Sequence, residues 1–524
     1  MRLSFSFSPV TLVFGMSLLV AMFCLIPPLY LFIRVSDDWS HARDIVLASG
    51  SVTIILETFA LVLVTTFFAT CVGLTCAWLT EYTDFPYPTI FRLLFALPLA
   101  VPTYVGAIVM ISLFSPVGFV NGLLSVFGLG QFPLIYGFWG SVFVLTLFTY
   151  PYVYLIIRPA LLGIDRGLLE NSRLLGRSGW YTFRHIILPL LRNALGSSGL
   201  LVALYVLADF GSVSLLRFNT LTMLIFIEYD GALDRVAASA TSILLMAFAV
   251  VLVIGMFRFR GNEARGGLRS SRRAYRVRLG VWQIPAGVFS LLIIAFTLVA
   301  PVVTLLSWLI GDANFTSMVI SIIHPLFGNI LVGAVAAIVT TMLALPIAHI
   351  TVRNKGVFLT RPIEILAYSG YALPGIVVGL ALVSFGLQFD VLYQSVALLI
   401  IAYALLFLPQ ALNAEKPVLI NIRPALQEAA ASLGKNRMQV FRQITLPLMS
   451  RGLLASFALV FLTTLKELPA TVLLSPIGFE SLALRIWMGA NEGFFADAAL
   501  PSLLLILSSG VALYLAERNL FRLT

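Results

Sequence analysis

The sequence predicts an all-α, polytopic membrane protein with about 12 transmembrane helices in two parallel six-helix repeats. Of the 524 residues, 60% are hydrophobic and 11% are charged, and the mean hydropathy is +1.01. These values lie outside the range of ordinary soluble domains. Apolar runs of about 20 residues, the length that crosses a bilayer, recur along the chain. One charged segment of the first half also returns in the second half.

Twelve apolar runs are long enough to be spanning helices. The run behind Met1-Arg2 contains Pro27-Pro28 and is not closed by a small-residue cleavage pattern, so we interpret it as a helix and not as a signal peptide. The runs divide the chain into a first six-helix half (1–257), an arginine-rich cytoplasmic linker (258–280) and a second six-helix half (281–524). The expected spans lie near 10–33, 53–80, 90–115, 134–157, 194–216, 236–257, 283–310, 326–351, 362–386, 391–413, 451–474 and 498–516.

The positive charges indicate how the chain lies in the membrane. The formal net charge is +10. If both termini are cytoplasmic, only five of the 33 Lys and Arg residues fall outside and Lys466 falls within a helix, which is the positive-inside asymmetry. Nucleic acid is not needed to explain the charge. Residues 258–278 carry eight arginines and one acid, and we expect this linker to lie near anionic membrane lipid.

A repeated cytoplasmic segment is the centre of the sequence. Residues Ile164–Leu190 return 258 positions later as Ile422–Leu448 without a gap. In each copy we expect a short helix that an acid opens, a left-handed glycine that ends it, and a second short helix that a proline breaks. The shared residues are Ile164/Ile422, Leu168/Leu426, Glu170/Glu428, Leu175/Leu433, Gly176/Gly434, Phe183/Phe441, Arg184/Arg442, Ile186/Ile444, Leu188/Leu446, Pro189/Pro447 and Leu190/Leu448.

The second copy reads Glu428-Ala429-Ala430, then Gly434, then Ile444-Thr445-Leu446-Pro447, whereas the first departs with Glu170-Asn171-Ser172. The pair resembles the E-A-A, G, I-x-L-P signature of membrane permeases of binding-protein-dependent ABC importers, and it implies a type I importer permease-like fold. The resemblance implies that each loop docks on one of two copies of a cytoplasmic ATPase. The alternative is two amphipathic loops on the membrane surface. The residues that the resemblance implies for ATPase coupling are Glu170, Gly176, Arg184, Pro189, Glu428, Ala429, Ala430, Gly434, Arg442 and Pro447.

We expect no catalytic residues and no cofactor bound by this chain. Gly434-Lys435 is followed by Asn436 and lacks the earlier glycine of a phosphate-binding loop. The resemblance therefore implies that ATP and Mg²⁺ are bound by the partner ATPase. No metal site can be assigned, because the four histidines are scattered and lack metal-ligand spacing.

Candidate translocation residues occur at matched positions in the two halves. Pro102 and Pro374 interrupt the third and ninth helices, a pattern that points to a central pathway. Asp209 and Glu467 are expected inside helices five and eleven, where an acid is costly and marks a functional site by default. We expect Lys466 to pair with Asp209 or another group, leaving one carboxylate free for a cationic solute. The alternative is a buried ion pair that only fixes helix packing.

Matched outer loops carry further acids. Asp230, Asp234, Glu492 and Asp497 are suited to salt-dependent docking of a periplasmic or extracytoplasmic solute-binding protein. A solvated rim is the alternative for any one of them.

The solute is suggested by a second resemblance. The fused layout, with LADFGSVSLL in one half and LKELPATVLL in the other, is similar to ferric iron permeases of the bacterial inner membrane. Thiamine, polyamine or aminophosphonate permeases are the alternatives in this class. Outside it, an ion-coupled secondary transporter could use Asp209, Lys466 and Glu467 as a relay, and a membrane enzyme ranks below both.

Overall fold

The computed structural model describes residues 9–260, 277–310, 315–353 and 357–521. The first eight residues, the last three and most of the predicted linker lie outside the described residues. The first half contains α1 Pro9–Cys24, α2 Ile26–Asp37, α3 Trp39–Leu47, α4 Ser49–Tyr82, α5 Pro88–Ala96, α6 Thr103–Leu113, α7 Phe119–Val126, α8 Gly137–Leu162, α9 Arg166–Leu174, α10 Gly179–Thr182, α11 Leu188–Ala208, α12 Gly211–Leu215, α13 Leu221–Phe226 and α14 Arg235–Arg260.

The second half repeats much of this order. It contains α15 Gln283–Ile294, α16 Ala300–Ile310, α17 Phe315–Arg353, α18 Thr360–Ala367, α19 Gly375–Gly386, α20 Val396–Asn421, α21 Pro424–Ser432, α22 Arg437–Val440, α23 Leu446–Leu465, α24 Pro469–Leu474, α25 Leu482–Glu492 and α26 Phe495–Phe521. Short 3₁₀ turns lie at Leu97–Ala100, Gly280–Trp282 and Ser369–Ala372, and π-turns at Phe183–Ile187, Ile227–Gly231, Ala295–Val299 and Phe441–Thr445.

The all-α, membrane-spanning architecture is confirmed. Among the described residues, nine helices are long and apolar enough to cross a membrane, and two further spans are bent pairs of helices. A shorter apolar helix, Phe495–Val511, coincides with the last predicted span. Each of the twelve predicted spans therefore coincides with a helix or a bent pair.

The two bent spans are the ones in which proline was predicted to interrupt the helix. The break before Pro102 turns the chain by 97°, and the break before Gly375 turns it by 109°. Pro102 and Pro374 have extended backbone and immediately precede α6 and α19. Proline has no N–H and disfavours a helical conformation of the residue before it. Each of these prolines therefore separates two helical segments of its span.

Helices five and eleven are shorter than predicted. We expected them to continue to residues 216 and 474, but α11 ends at Ala208 and α23 ends at Leu465. Each is followed by a separate short helix, α12 or α24. The apolar composition continues through both breaks, so hydropathy alone did not indicate them.

The prediction that Pro189 and Pro447 break the second short helix was wrong. A π-turn joins α10 to α11, and a second π-turn, 258 residues later, joins α22 to α23. In these turns Leu188 N–H donates to Phe183 O, and Leu446 N–H donates to Phe441 O. The wider turn makes room for the proline ring, which would otherwise clash with the carbonyl four residues earlier.

The two halves interlock through their first helices. Helix α1 packs against α17 and α18, and α16 packs against α6. One hydrophobic core runs through both halves. The halves are therefore joined by packed helices as well as by the linker.

Candidate coupling loops and translocation site

The repeated loops have the same geometry at their glycines. Gly176 has φ +71° and Gly434 has φ +83°, the left-handed conformation that glycine adopts without a Cβ penalty. Beyond each glycine the chain turns back, because Arg177 N–H donates to Ser172 O and Lys435 N–H donates to Ala430 O, both at 3.1 Å. This 6→1 bond is the Schellman arrangement that closes a helix C-terminus. The predicted helix ends are confirmed.

The acids of the two loops are placed differently from the prediction. Glu170 and Glu428 are each the fifth residue of their helix, and neither α9 nor α21 has an acid in its first turn. The helix dipole acts mainly on the first turn, so it does not explain these residues. Both acids are exposed, as are Ala429, Arg184, Arg442, Pro189 and Pro447.

Each loop buries one small residue and exposes apolar side chains. Ser172 and its counterpart Ala430 are buried, and the Ser172 and Thr182 hydroxyls share a 2.7 Å hydrogen bond. Leu175 and Leu433 are 78% and 84% exposed. Large apolar side chains that project from a charged segment are typical of a surface that another protein covers.

A side chain at the end of the second span holds the start of each loop. In the first half, Tyr82 OH donates to Leu161 O over 3.3 Å. In the second half, the Arg353 guanidinium donates to Leu419 O over 3.2 Å and to Ile422 O over 2.7 Å. Leu161 and Leu419 are 258 positions apart, so different side chains make the same attachment in both halves.

Ion pairs that were not predicted brace the helices above the loops. The Glu81 carboxylate is buried and accepts hydrogen bonds from Arg92 and Arg158, each at 2.7 Å. In the second half Lys416 pairs with Glu364. Lys416 lies 258 residues after Arg158, and Glu364 lies 272 residues after Arg92, the offset that separates Pro102 from Pro374. An alignment of the two halves that continued beyond the loops would have shown that these charged residues correspond.

Asp209 lies at the break between α11 and α12 and accepts hydrogen bonds on both carboxylate oxygens. Oδ2 accepts a 2.7 Å bond from Thr103 Oγ1. Oδ1 accepts from the Ser212 N–H at 3.1 Å and from the Ser212 hydroxyl. The carboxylate thus caps the short helix α12 and ties it to the start of α6, beside Pro102.

Glu467 occupies the matching break in the second half. Its Oε1 accepts from Ala470 N–H at 2.9 Å, and its Oε2 accepts from Thr471 N–H at 3.1 Å and from Thr471 Oγ1 at 2.8 Å. A Cβ on Gly375 would collide with this carboxylate. A side chain at the position beside Pro374 would displace this carboxylate, whereas the counterpart of Gly375 in the first half is Thr103.

Lys466 does not pair with either acid. Its ammonium donates to Leu99 O over 2.9 Å, so it joins the second half to the 3₁₀ turn that precedes the bend at Pro102. We expected Lys466 to pair with Asp209 or with another group, and its partner is the Leu99 carbonyl. Neither acid forms an ion pair among the described residues, and each also serves as a helix cap.

The halves meet closely at these breaks. A Cβ on Gly211 would lie 2.7 Å from Leu468 Cδ2 and 3.0 Å from Tyr104 Cβ. On the same seam, Trp487 Nε1 donates to Ser214 Oγ over 2.9 Å. The two halves are therefore in direct contact at these breaks.

The four predicted outer acids are not equivalent. Asp230, Glu492 and Asp497 are exposed. Asp234 instead accepts from Val236 and Ala237 N–H and lies 2.6 Å from His41 Nε2. Partial burial acts to raise the pKa of Asp234, but hydrogen bonds from Ala237 and His41 outweigh it, so its pKa lies below the ordinary value. The bond to Asp234 raises the pKa of His41.

A polar cavity of about 280 Å³ opens at the seam, next to the loops that were predicted to lie outside. Its lining from the first half includes Tyr136, Ser214 and Arg217, and its lining from the second includes Asn491 and Glu492. The described residues contain no group of three or more His, Cys, Asp or Glu side chains that could hold a metal ion.

Two equivalent loops, attached in the same way to two equivalent sets of spanning helices, characterise the membrane subunit of a transporter. The sequence profile described as binding-protein-dependent transport system inner membrane component matches residues 69–260 and 340–522, one stretch in each half. The chain belongs to this family, and it is an importer permease with several spans in the inner membrane.

Named relatives agree with this assignment. The chain is 32% identical to the Fe(3+)-transport system permease protein FbpB 2 of Haemophilus influenzae over 97% of this chain and 99% of the relative. It is 26% identical to the ferric transport system permease protein FbpB of Actinobacillus pleuropneumoniae over 80% of this chain and 64% of the relative. It is 28% identical to the sulfate transport system permease protein CysT of Salmonella typhimurium over 49% of this chain and 94% of the relative.

Proposed function

We propose that the chain is the permease of an ATP-driven ferric iron importer. The observation that supports it best is the pair of coupling loops with equal geometry, in a chain similar over nearly its whole length to a named Fe(3+)-transport permease. A solute-binding protein delivers iron on the outer side. Two copies of a cytoplasmic ABC ATPase bind ATP and Mg²⁺, one copy under each loop, and both termini of the chain lie on that side.

The loops transmit the movement of the ATPase. The exposed side chains of Leu175 and Leu433 each enter a cleft in one ATPase subunit. Tyr82 and Arg353 fix the loops to the ends of the second spans, so a displaced loop carries its helices with it. Closure of the ATPase dimer draws the loops together, rocks the halves and opens the seam outward, and hydrolysis resets the conformation.

The charges at the breaks favour a cation. Asp209 and Glu467 contribute two negative charges and Lys466 contributes one positive charge at matched depth. Hard cations such as Fe³⁺ favour oxygen-rich surroundings. Since both carboxylates already accept hydrogen bonds, they act through their charge on a passing ion and do not form a permanent metal site.

The outer acids contribute to docking of the binding protein. Asp230, Glu492 and Asp497 are exposed near the seam or at helix ends on that side. Their charge favours a basic surface on the partner and a docking rate that falls with added salt. Asp234 has a structural role instead, since it caps α14 and contacts His41.

Transport in proteoliposomes tests the proposal. Vesicles that contain the permease and its ATPase should accumulate iron only with ATP on the ATPase side and iron-loaded binding protein on the other side. Thiamine, a polyamine, an aminophosphonate and sulfate, each with its own binding protein, serve as cargo controls. Uptake driven by an ion gradient without ATP would instead identify a secondary transporter.

A further inference from the structure

Two tyrosines contact each other near the break at Asp209. Tyr205 lies on α11, one helical turn before the break, and its ring centroid is 5.3 Å from that of Tyr152 on α8. The two phenol hydroxyls are close enough to interact. The Tyr205 hydroxyl also lies close to that of Thr103, which donates to the Asp209 carboxylate over 2.7 Å. These four residues form one oxygen cluster of two phenols, a hydroxyl and a carboxylate.

The oxygen cluster faces an opening inside the molecule. Both tyrosine rings lie deep among protein atoms, yet Tyr205 is 36% exposed and Tyr152 is half-buried. A side chain that is surrounded by protein and still accessible borders an internal space and not the lipid. Phenol hydroxyls directed at hydrocarbon would also lack hydrogen-bond partners, which is costly. An ion that enters this space can therefore reach the two hydroxyl groups.

The oxygen cluster lies beside the seam between the halves. Tyr104 of α6 reaches the second half, because its hydroxyl donates to Lys466 O over 3.5 Å. Tyr205 lies near Tyr104, on the side of the break from which α11 leads back to the coupling loop. A solute that passes between the halves would therefore meet the cluster on the wall formed by the first half.

The two phenol oxygens remain able to bind a ligand. Tyr82 and Tyr154, also in the first half, donate to backbone carbonyls of neighbouring helices. Among the described residues, no carbonyl accepts a hydrogen bond from Tyr152 or Tyr205. Their partners are other hydroxyls, which exchange easily with a cation. Oxygen atoms of this kind, together with a carboxylate, are the ligands that hard cations prefer.

The second half repeats the contact with different chemistry. At the offset of 258 residues, Gln410 and Thr463 occupy the positions of Tyr152 and Tyr205. Thr463 Oγ1 donates to Gln410 Oε1 over 3.1 Å. A polar contact thus joins the fourth and fifth spans at the same level in both halves, but phenols occupy it only in the first. Helix packing explains a contact at this level and does not explain a pair of phenols.

We propose that the oxygen cluster is a transient binding site for the ferric ion, in which the phenolates of Tyr152 and Tyr205 coordinate the cation beside the charge of Asp209. The inference rests on the proposed function, because it assigns the transported ion to these residues. The two phenols release their protons to water as they bind the metal. Two phenolates and one carboxylate then match the charge of Fe³⁺. An all-oxygen site favours a hard trivalent cation over Zn²⁺, which prefers nitrogen and sulfur ligands.

Visible absorption tests the site with the purified full chain alone, without ATPase or binding protein. Ferric nitrilotriacetate should produce a phenolate-to-iron charge-transfer band, which carboxylate, amide and hydroxyl ligands do not give. Tyr152→Phe and Tyr205→Phe keep the rings and remove one phenol each. Each should reduce the band and weaken iron binding about tenfold or more, since even the loss of an outer-shell partner of a metal has an effect of this size. The double variant should show no band.

Two control variants separate coordination from packing. Thr463→Val breaks the matching contact in the second half without removing a phenol, and it should leave the band unchanged. Tyr87→Phe removes a phenol that is 74% exposed in the connection before α5, and it should also leave the band unchanged. The midpoint of thermal unfolding of the phenylalanine variants should match that of the original chain, because the ring contact is kept.

Competing ions test the class of ligand. Ga³⁺, which has the same charge as Fe³⁺, should displace the iron and remove the band, whereas Zn²⁺ at equal concentration should not. The proposal would be overturned by the absence of a band in the original chain, by a band that survives in the double variant, by loss of the band in Thr463→Val or by equal displacement with Zn²⁺. Iron uptake in proteoliposomes without iron binding here would reject this site and leave the proposed function intact.

Discussion

Thr103 and Asp209 are joined by a 2.7 Å hydrogen bond, and the positions that match them in the second half carry Gly375 and Glu467. Asp209, the shorter acid, accepts a hydrogen bond from the Thr103 side chain. The longer acid is accommodated by a residue without a Cβ. The two halves thus place a carboxylate beside the bent span with different pairs of residues.

The first prediction follows from this exchange. Gly375→Ala should displace the Glu467 carboxylate from α24 and reduce solute uptake, at a cost of about 1–3 kcal/mol for overpacking. Gly287→Ala is the control, because a Cβ there meets nothing within 4 Å. Solute uptake into vesicles and thermal stability in detergent are measured for both variants. An unchanged uptake in Gly375→Ala would show that the position of Glu467 does not matter.

The sequence predicted what is local and missed what depends on distant packing. The glycines, the helix ends and the repeated loops were predicted because each is specified by a few neighbouring residues. The breaks at Asp209 and Glu467 were missed because the apolar runs continue through them, although Asp-Phe-Gly-Ser and Glu-Leu-Pro contain capping and helix-start signals. The Lys466 partner could not be predicted, since Leu99 contributes only a backbone carbonyl.

The second prediction concerns the loop glycines. Gly176→Ala and Gly434→Ala place a Cβ in a left-handed conformation and should each cost about 1–2 kcal/mol locally. Stimulation of the partner ATPase by loaded binding protein should fall in each and fall further in the double variant. Gly179→Ala is the matched control in the same loop, since Gly179 has no positive φ and no neighbour within 4 Å. Full stimulation of the ATPase in the double variant would show that coupling does not depend on the left-handed glycines.

The third prediction concerns the contact between the halves at Lys466. Lys466→Met removes a charged donor to Leu99 O, an interaction typically of about 1.5–3 kcal/mol. The closed arrangement should become less favoured, so ATP hydrolysis without binding protein should rise about tenfold or more. Lys466→Arg should keep the rate of ATP hydrolysis without binding protein low, because arginine also provides a long cationic donor. A low basal rate in Lys466→Met would mean that other contacts alone keep the seam closed.

The fourth prediction is structural. Glu81→Gln leaves Arg92 and Arg158 without their shared carboxylate, and breaking a buried ion pair costs about 3–5 kcal/mol. The midpoint of thermal unfolding should fall clearly. Glu480→Gln should leave it unchanged, since Glu480 is 57% exposed and lies 3.6 Å from Arg485. If the two variants unfold alike, the Glu81 contacts contribute little.

The fifth prediction is a pH dependence on the outer side. The pKa of His41 lies above 6.5, so its contact with Asp234 is fully formed below that pH and is lost as pH rises through the raised pKa. The pKa of Asp234 lies below 3.8, so the contact is also lost as pH falls through that lowered value. Hydrogen-exchange protection at the start of α14 should be highest between these limits. In His41→Ala, protection should no longer fall as pH rises through the pKa of His41. An unaltered pH profile in this variant would argue against the contact.

Covalent capture of the ATPase tests the coupling role of the loops most directly. A photo-crosslinker at Leu175 or at Leu433 in the reconstituted importer should capture the ATPase from both positions, with yields that change together on ATP binding. Crosslinkers at the outer residues Asp230 and Asp497 should capture none. Active transport with no ATPase captured from either loop would contradict the account.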